Sequence, residues 1–215
     1  MITLASIMRN SSSYVLRYVE QIRELQNILP QLRVVVGEGD STDDTRGLLE
    51  MAAPDFEVVD VSHGGPVYGS VDNVDRWSQI AKAVRTTLDA VGDYDDALIW
   101  VESDLIWSPG SIFKLVANIQ QRMASCPMVL SAGEKRFYDT WGYRLDKEFF
   151  LPQPPYWPKR PYMSDQGLAR IDSCGSCFAI CGTGAGVIKE WDGTWPFRPP
   201  LGMLWLDPTV EVHHP

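Results

Sequence analysis

No stretch of this sequence is long and apolar enough to span a bilayer, which takes about 20 predominantly apolar residues. The opening run Met1-Ile2-Thr3-Leu4-Ala5-Ser6-Ile7-Met8-Arg9 lacks the basic region and cleavage site of a secretory leader. A soluble, cytoplasmic protein without a membrane span is therefore expected. Positive charge is scarce as well. Lys and Arg number 19 against 28 Asp and Glu, and the formal net charge of −9 argues against a nucleic-acid groove as the main surface. An anionic ligand would need Arg and Lys gathered locally. Cysteine is limited to Cys126, Cys174, Cys177 and Cys181. The Cys174-x-x-Cys177 pair has no second pair or histidine at zinc-finger spacing, which disfavours a structural zinc site. On a strand from Ile171 to Ile180 the two would face opposite sides, as small reduced core residues. Internal repeats and low-complexity tracts are missing too, which leaves one domain over 1–215 that buries roughly 70% of its unfolded surface.

What is present is alternation. Apolar runs at Ile2–Ile7, Leu32–Val36, Phe56–Val61 and Leu98–Val101 predict strands. Helical spacing falls between them, at Tyr14–Leu29, Thr45–Met51, Val74–Val91 and from Ser108 to Ile119. Strand and helix in turn predict an α/β domain with a mostly parallel central sheet flanked by helices. The second half is irregular. It offers strands at Met128–Ala132 and Ile171–Ile180, a helical turn near Gly186–Trp191, and a loop and last strand over Leu204–His214. Between them, Phe137 to Tyr162 reads as too polar and interrupted to be core.

Three segments carry chemistry. In Leu98-Ile99-Trp100-Val101-Glu102-Ser103-Asp104, a buried strand delivers two carboxylates around Ser103 at its carboxyl end, where open α/β sheets place ligands. Such a pair suits Mn²⁺ or Mg²⁺ bridging to a diphosphate; the bland alternative is a strand ending in solvated acids. After the second strand, Glu38-Gly39-Asp40-Ser41-Thr42-Asp43-Asp44-Thr45 is an acidic turn. Helix capping accounts for its Ser and Asp, but not for four acids together. A carboxylate at Glu38 could accept from the imide of uracil or from the N1–H and amino group of guanine. Ser6 and Arg9, at the end of strand one, are expected to line the same pocket. On the helix from Val74, Arg76, Lys82 and Arg85 would supply the local positive field an anionic donor requires.

Together these segments resemble GT-A glycosyltransferases over nearly the whole chain. The acidic turn resembles the one whose acids contact nucleobase and ribose, here Glu38 and Asp40. The stretch Arg76 to Arg85 resembles the helix that brings bases to the diphosphate. Glu102-Ser103-Asp104 looks like a metal-binding DXD motif with Glu in the first place. Asp207-Pro208-Thr209-Val210-Glu211-Val212-His213 resembles the late strand whose histidine completes the metal shell. Gly69-Ser70 and Phe137-Tyr138-Asp139-Thr140-Trp141-Gly142-Tyr143-Arg144 are similar to fungal capsule and Golgi mannosyltransferases, which are retaining enzymes.

The resemblance implies a metal-dependent transfer from a UDP- or GDP-linked sugar to an unknown acceptor, with 1–107 binding the donor and 108–215 the acceptor. Asp104, Arg85 and Asp139 are the expected catalytic residues. Asp104, His213 and Glu102 are the expected metal ligands, His213 being preferred to His214. Ser6, Arg9, Glu38, Asp40, Arg76, Lys82, Arg85, Glu102 and Ser103 are expected on the nucleotide sugar. No acidic pair follows Gly182-Thr183-Gly184, where the chain reads Lys189-Glu190-Trp191-Asp192, so retention is expected. Asp139, Asp165 and Asp172 are the candidates for a base. Trp141, Tyr143, Tyr156 and Trp157 are candidates for stacking on sugars. Two alternatives stand beside this reading. A nucleotidyltransferase would normally carry a Gly-rich loop after strand one, and Met8 to Tyr14 contains no glycine. An inactive nucleotide-sugar-binding module would explain Glu102 in place of Asp.

Overall fold

The structure, a computed structural model, describes residues 1–69, 73–92, 96–119, 124–140, 142–146, 148–153, 156–181 and 204–215. In chain order the elements are β1 (Ile2–Met8), α1 (Ser12–Ile28), β2 (Arg33–Glu38), α2 (Thr45–Ala52), β3 (Glu57–Asp60), α3 (Val74–Val91), β4 (Ala97–Val101), α4 (Pro109–Ile119), β5 (Ala124–Ser131), β6 (Arg144–Leu145), β7 (Glu148–Phe149), β8 (Ala169–Ile171), β9 (Cys177–Cys181) and β10 (Leu204–His214). Eight strands form one sheet in the order β3-β2-β1-β4-β9-β5-β10-β8, and β6 and β7 make a separate hairpin. β3, β2, β1 and β4 are mutually parallel, β9 runs antiparallel to both β4 and β5, and β10 lies parallel to β5. The mostly parallel α/β sheet expected from the sequence is what forms.

Alternating side chains divide the interior into two cores. On β4, Ala97, Ile99 and Val101 enter the core shared with α1, α2 and α4, while Leu98 and Trp100 enter the core under α3. A strand covered on both faces has no polar side to show, hence the unbroken apolar run. α3 starts where Asn73 Oδ1 accepts from the amides of Asp75 and Arg76, at 2.9 and 3.1 Å. It stops at Gly92, whose φ of 66° is left-handed. These caps aim the first turn of α3 at the carboxyl ends of β1 and β4.

The second half departs from expectation in three places. The segment from Phe137 to Tyr162 does contribute core: Tyr143 and Phe150 are fully buried, and Tyr143 Oη donates to the Pro127 carbonyl at 2.5 Å. The β6–β7 hairpin turns these rings inward, and Asp139 and Arg144 of the same segment are buried as well. The single strand expected over Ile171–Ile180 is two, β8 and β9, separated by a turn at 172–176. There Ser173 Oγ donates to the Gly142 carbonyl and the Asp172 amide to the Arg144 carbonyl. Lastly, the tail is strand from Leu204, interrupted by a bulge.

That bulge sets side-chain phase. From Leu206 to Glu211 β10 advances five residues while β5 advances two, Cys126 to Met128, so three residues are extra. An odd insertion reverses the alternation. Leu204 and Leu206 accordingly belong to one core, and Val210 and Val212 to the other. Asp207 holds the bulge, accepting from Thr209 N, Thr209 Oγ1 and Asn118 Nδ2 at 2.6–2.9 Å.

All four cysteines are free thiols. Cys177 sits in the first core and Cys174 in the second, on opposite sides of the sheet. No described helix is long and apolar enough to cross a membrane. The expectations for Ser70, Trp141, the Gly182–Gly184 glycines, the helical turn near Gly186–Trp191 and the Lys189–Asp192 stretch lie outside the described residues.

Candidate active site

A pocket of about 710 Å³ opens over the carboxyl ends of β1 and β4, walled by α3 on one side and by the 138–144 segment on the other. Parallel strands end here together, so their terminal residues and following loops converge on one place. β4 delivers Glu102, Ser103 and Asp104. The Asp104 backbone is pinned by Arg17 of α1, which donates to its carbonyl at 2.6 Å. Its Oδ2 lies 3.1 Å from His214 Nε2, and its Oδ1 is buried without a hydrogen-bond partner.

That pair is informative because of what the other imidazole nitrogen does. His214 Nδ1 lies 3.0 Å from an oxygen of Pro215, which can only accept, so Nδ1 carries the hydrogen. In the neutral ring Nε2 is then a lone pair facing a carboxylate oxygen. Two acceptors at that distance need a positive centre beside them, either a proton or a cation. The spacing also suits the cation, since adjacent ligands at ~2.1 Å on an octahedral ion stand ~3 Å apart. Among the described residues, no group of three or more His, Cys, Asp or Glu is arranged to hold a metal. The described residues would contribute two ligands, Asp104 and His214, with phosphate and water able to supply others, as is usual for Mg²⁺-type sites.

Two further carboxyls crowd this pair. Asp139 is buried, its Oδ2 accepting from the Ser176 amide and hydroxyl at 2.9 Å each and its Oδ1 from the Gly142 amide at 3.3 Å. Burial pushes its pKa above the usual carboxylate range despite those hydrogen bonds. Glu102 is pushed up to about 8, first by burial, then by the charges of Asp104 and Asp139, with a Ser176 hydrogen bond and Arg76 pulling the other way. The sign for stability follows. A carboxyl near 4.5 when unfolded and about 8 when folded contributes stability that is complete below 4.5 and lost as pH rises through 8. Melting temperature in EDTA is therefore expected to fall between pH 5 and 8.5, and Glu102→Gln to flatten that fall. An unchanged slope in Glu102→Gln would remove Glu102 as its source.

At the other end of the pocket the walls are Arg9, Asn10 and Tyr14 after β1, Gly39 after β2, and the loop after β3. Gly39 permits a close approach: a Cβ there would lie 2.4 Å from the Ser62 amide nitrogen. The β3 loop is stapled from both sides. Arg9 donates to the Gly65 and Pro66 carbonyls at 2.9 and 3.1 Å, and the His63 and Gly64 amides donate to the Asp40 carboxylate at 2.8–3.2 Å. The His63 amide foremost holds Asp40 below the usual carboxylate range.

A family model described as glycosyl transferase family 2 matches residues 5–191. The chain belongs to glycosyl transferase family 2. Among solved structures it is similar to the mannosyltransferase PcManGT from Pyrobaculum calidifontis in complex with GDP-Man and Mn²⁺, at 13% identity and a TM-score of 0.57, covering 99% of this chain and 56% of that one. Matches of lower score include glucosyl-3-phosphoglycerate synthase from Mycobacterium tuberculosis with Mn²⁺, UDP-glucose and phosphoglyceric acid (18% identity, TM-score 0.42, 62% and 45% of the two chains). Another is S. aureus TarS 1-349 with UDP-GlcNAc (13%, 0.44, 66% and 39%). The chain thus spans about half the length of these structures. The likeness to PcManGT concerns the fold alone, which is the GT-A fold. No curated protein matches the sequence.

Within this family 2 fold, Arg9, Arg76, Glu102, Ser103, Asp104 and Asp139 line the pocket. Six other expected site residues are directed elsewhere. Ser6 is fully buried between strands, donating to the Val101 carbonyl at 2.6 Å and 2.7 Å from Tyr18 Oη. Glu38 is buried against Arg46 at 3.1 Å. Asp40 spends its oxygens on the β3 loop. Lys82 and Arg85 are exposed and outside the pocket lining. Arg85 is nine residues from Arg76, which at about 100° per residue is half a turn out of phase. His213 is displaced by its neighbour: its Nε2 lies 3.9 Å from Glu211, whereas His214 faces Asp104. Tyr143, a candidate for sugar stacking, is core; Trp157 is exposed at 60%.

Arg17, Tyr138, Arg144 and Ser176 carry no site role in the sequence pattern. Arg144 lies in the pocket wall with its guanidinium 3.6 Å above the Phe149 ring. Ser176 reaches the site because β9 inserts antiparallel beside β4, so the Ser176 carbonyl accepts from the Glu102 amide at 2.9 Å. Only the sheet order brings it there.

Proposed function

We propose that this chain moves a glycosyl group from a UDP- or GDP-linked sugar to an acceptor hydroxyl, with Mn²⁺ or Mg²⁺ held between the donor diphosphate and the pair Asp104 and His214. The observation that carries this is the facing of Asp104 Oδ2 and His214 Nε2, 3.1 Å apart, at the end of β4 in the pocket. Family membership supports the donor class. A bound cation would stabilise the leaving diphosphate as a Lewis acid. Arg76, on the pocket face of α3, offers a planar fork to a phosphate oxygen in an otherwise acidic protein. Arg9 and Asp40 act one step removed, holding the β3 loop as a wall against the nucleoside.

A second reading concerns stereochemistry. Retention, expected from the sequence, needs no base. Asp139 favours the opposite course: it lines the pocket, is fixed by three hydrogen bonds, and burial raises its pKa above the usual carboxylate range. A carboxylate of that kind suits deprotonation of an acceptor hydroxyl, which gives inversion. The anomeric coupling in the product's proton NMR spectrum distinguishes the two.

The donor is found by a thermal-shift panel of GDP- and UDP-sugars with and without Mn²⁺, since ligands that bind only the native state raise its melting temperature. GDP-mannose heads the panel because the structurally similar PcManGT is a mannosyltransferase in complex with GDP-Man. Release of nucleoside diphosphate on adding acceptor supports the enzyme; a thermal shift with no release on any acceptor supports a binding module. Arg76→Ala is expected to weaken donor binding about tenfold, the loss of one charged hydrogen bond. Arg85→Ala, on the opposite face of α3, is expected to leave donor affinity unchanged in the same titration.

A further inference from the structure

A metal-binding histidine needs its ring plane fixed, and the usual device is a hydrogen bond from its second nitrogen to a well-anchored group. Here Nδ1 reaches only an oxygen of the next residue, Pro215, at an exposed position. The firmer restraint is a ring. Tyr138 stacks on His214 with centroids 3.8 Å apart and planes 13° from parallel. Both residues hang from the same strand end. The Tyr138 amide donates to the Val129 carbonyl at 2.9 Å, the Ala132 amide to the His214 carbonyl at 2.8 Å, and His214 is in register with Ser131. β5 therefore serves as a common template for the two backbones, and contact between the faces fixes how the imidazole turns about its side-chain torsions. Tyr138 itself lines the pocket and is 45% exposed.

We infer that Tyr138 is the positioning residue of the cation site: its ring orients His214 so that Nε2 faces Asp104. This rests on the proposed role of Asp104 and His214 as cation ligands. A flat aromatic face supplies it, so the phenol hydroxyl is dispensable and the ring is not. The device differs from the hydrogen-bonded one in a useful way. It constrains the tilt of the imidazole while leaving its tautomer to the Pro215 oxygen, so removing it should loosen the ligand without changing which nitrogen binds.

The test is Mn²⁺ alone, titrated into the protein and read by electron paramagnetic resonance, with electron-spin-echo detection of the ¹⁴N coupling from a coordinated imidazole. Tyr138→Phe is expected to match the unaltered protein in affinity and in ¹⁴N signal. Tyr138→Leu, which keeps apolar bulk without a ring face, is expected to weaken Mn²⁺ binding about tenfold and to diminish the nitrogen coupling. In a His214→Ala background the same Tyr138→Leu change is expected to cost nothing further, because nothing is left to orient. If Tyr138→Leu keeps full affinity and coupling while His214→Ala loses both, the inference about Tyr138 fails and the cation site stands. If His214→Ala itself binds Mn²⁺ as before, the site as proposed and the inference fail together. Tyr138 is half exposed, so Tyr138→Leu is expected to fold; circular dichroism checks this, and Tyr138→Trp, which restores a ring, rescues the signal if the inference is right.

Discussion

Asp104→Asn is expected to lower sugar transfer at least about a hundredfold and, in EDTA near pH 8, to raise the melting temperature. The two signs have one cause. Asp104 Oδ1 is buried without a partner, and the Asp104 charge adds to burial in pushing the neighbouring Glu102 towards its neutral form. In the free protein the carboxylate at Asp104 is thus a cost, borne for what it does when a cation and diphosphate arrive. Asn keeps the shape and removes the charge. Without the cation Glu102 ionises more easily and the fold relaxes; with donor present, a ligand worth several kcal/mol of transition-state charge stabilisation is gone. At about 1.4 kcal/mol per factor of ten, 3 kcal/mol already exceeds a hundredfold. The backbone is untouched, since Arg17 grips the Asp104 carbonyl rather than its side chain. Turnover of the donor found in the panel, and melting curves in EDTA at pH 8, check the two halves. Loss of activity together with a lower melting temperature would mean that Asp104 is a structural residue.

The elements of the first hundred residues were legible because each follows one rule. β4 is apolar throughout since both its faces are covered, and α1 shows helical spacing since one face is. The consequence of that order, carboxylates at the end of β4 in a pocket, was legible for the same reason. What counting along the chain could not supply was direction. Sequence distance sets Arg85 near Arg76, although nine residues of helix turn it away. His213 was preferred to His214, yet phase on β10 depends on three extra residues at the Asp207 bulge. Ser6, Glu38 and Asp40 have the right chemistry for a nucleotide. Their polar groups are claimed by neighbours that only the fold brings near: the Val101 carbonyl, Arg46, and the His63 and Gly64 amides. The second half was hardest since its contacts are long-range. Tyr143 is core because a hairpin turns it towards Pro127, and Ser176 is in the site because β9 pairs with β4.

Gly175→Ala is expected to damage this site more than its size suggests, through a carboxylate 36 residues away in sequence. A Cβ on Gly175 would lie 2.2 Å from Asp139 Oδ2 and 2.7 Å from both Cγ and Oδ1. The whole carboxylate, not a flexible tip, is in the way, and three hydrogen bonds hold it there. Gly142 closes the other side, where a Cβ would meet the Gly175 backbone at 2.6 Å. The two glycines thus form a cradle one carboxylate wide. An added methyl must expel Asp139 or shift the turn that presents Ser176. Overpacking of this kind costs about 1–3 kcal/mol, roughly 2–12 °C of melting temperature in a domain of this size. Displacement of Asp139 by about 1 Å is expected to lower transfer on the order of a hundredfold. A double-mutant cycle isolates the cause. In an Asp139→Ala background the obstructing atoms are absent, so Gly175→Ala should cost little further stability there, and the two changes should be far from additive. If the losses in melting temperature simply add, the cradle does not act on Asp139, and the glycines serve the turn alone.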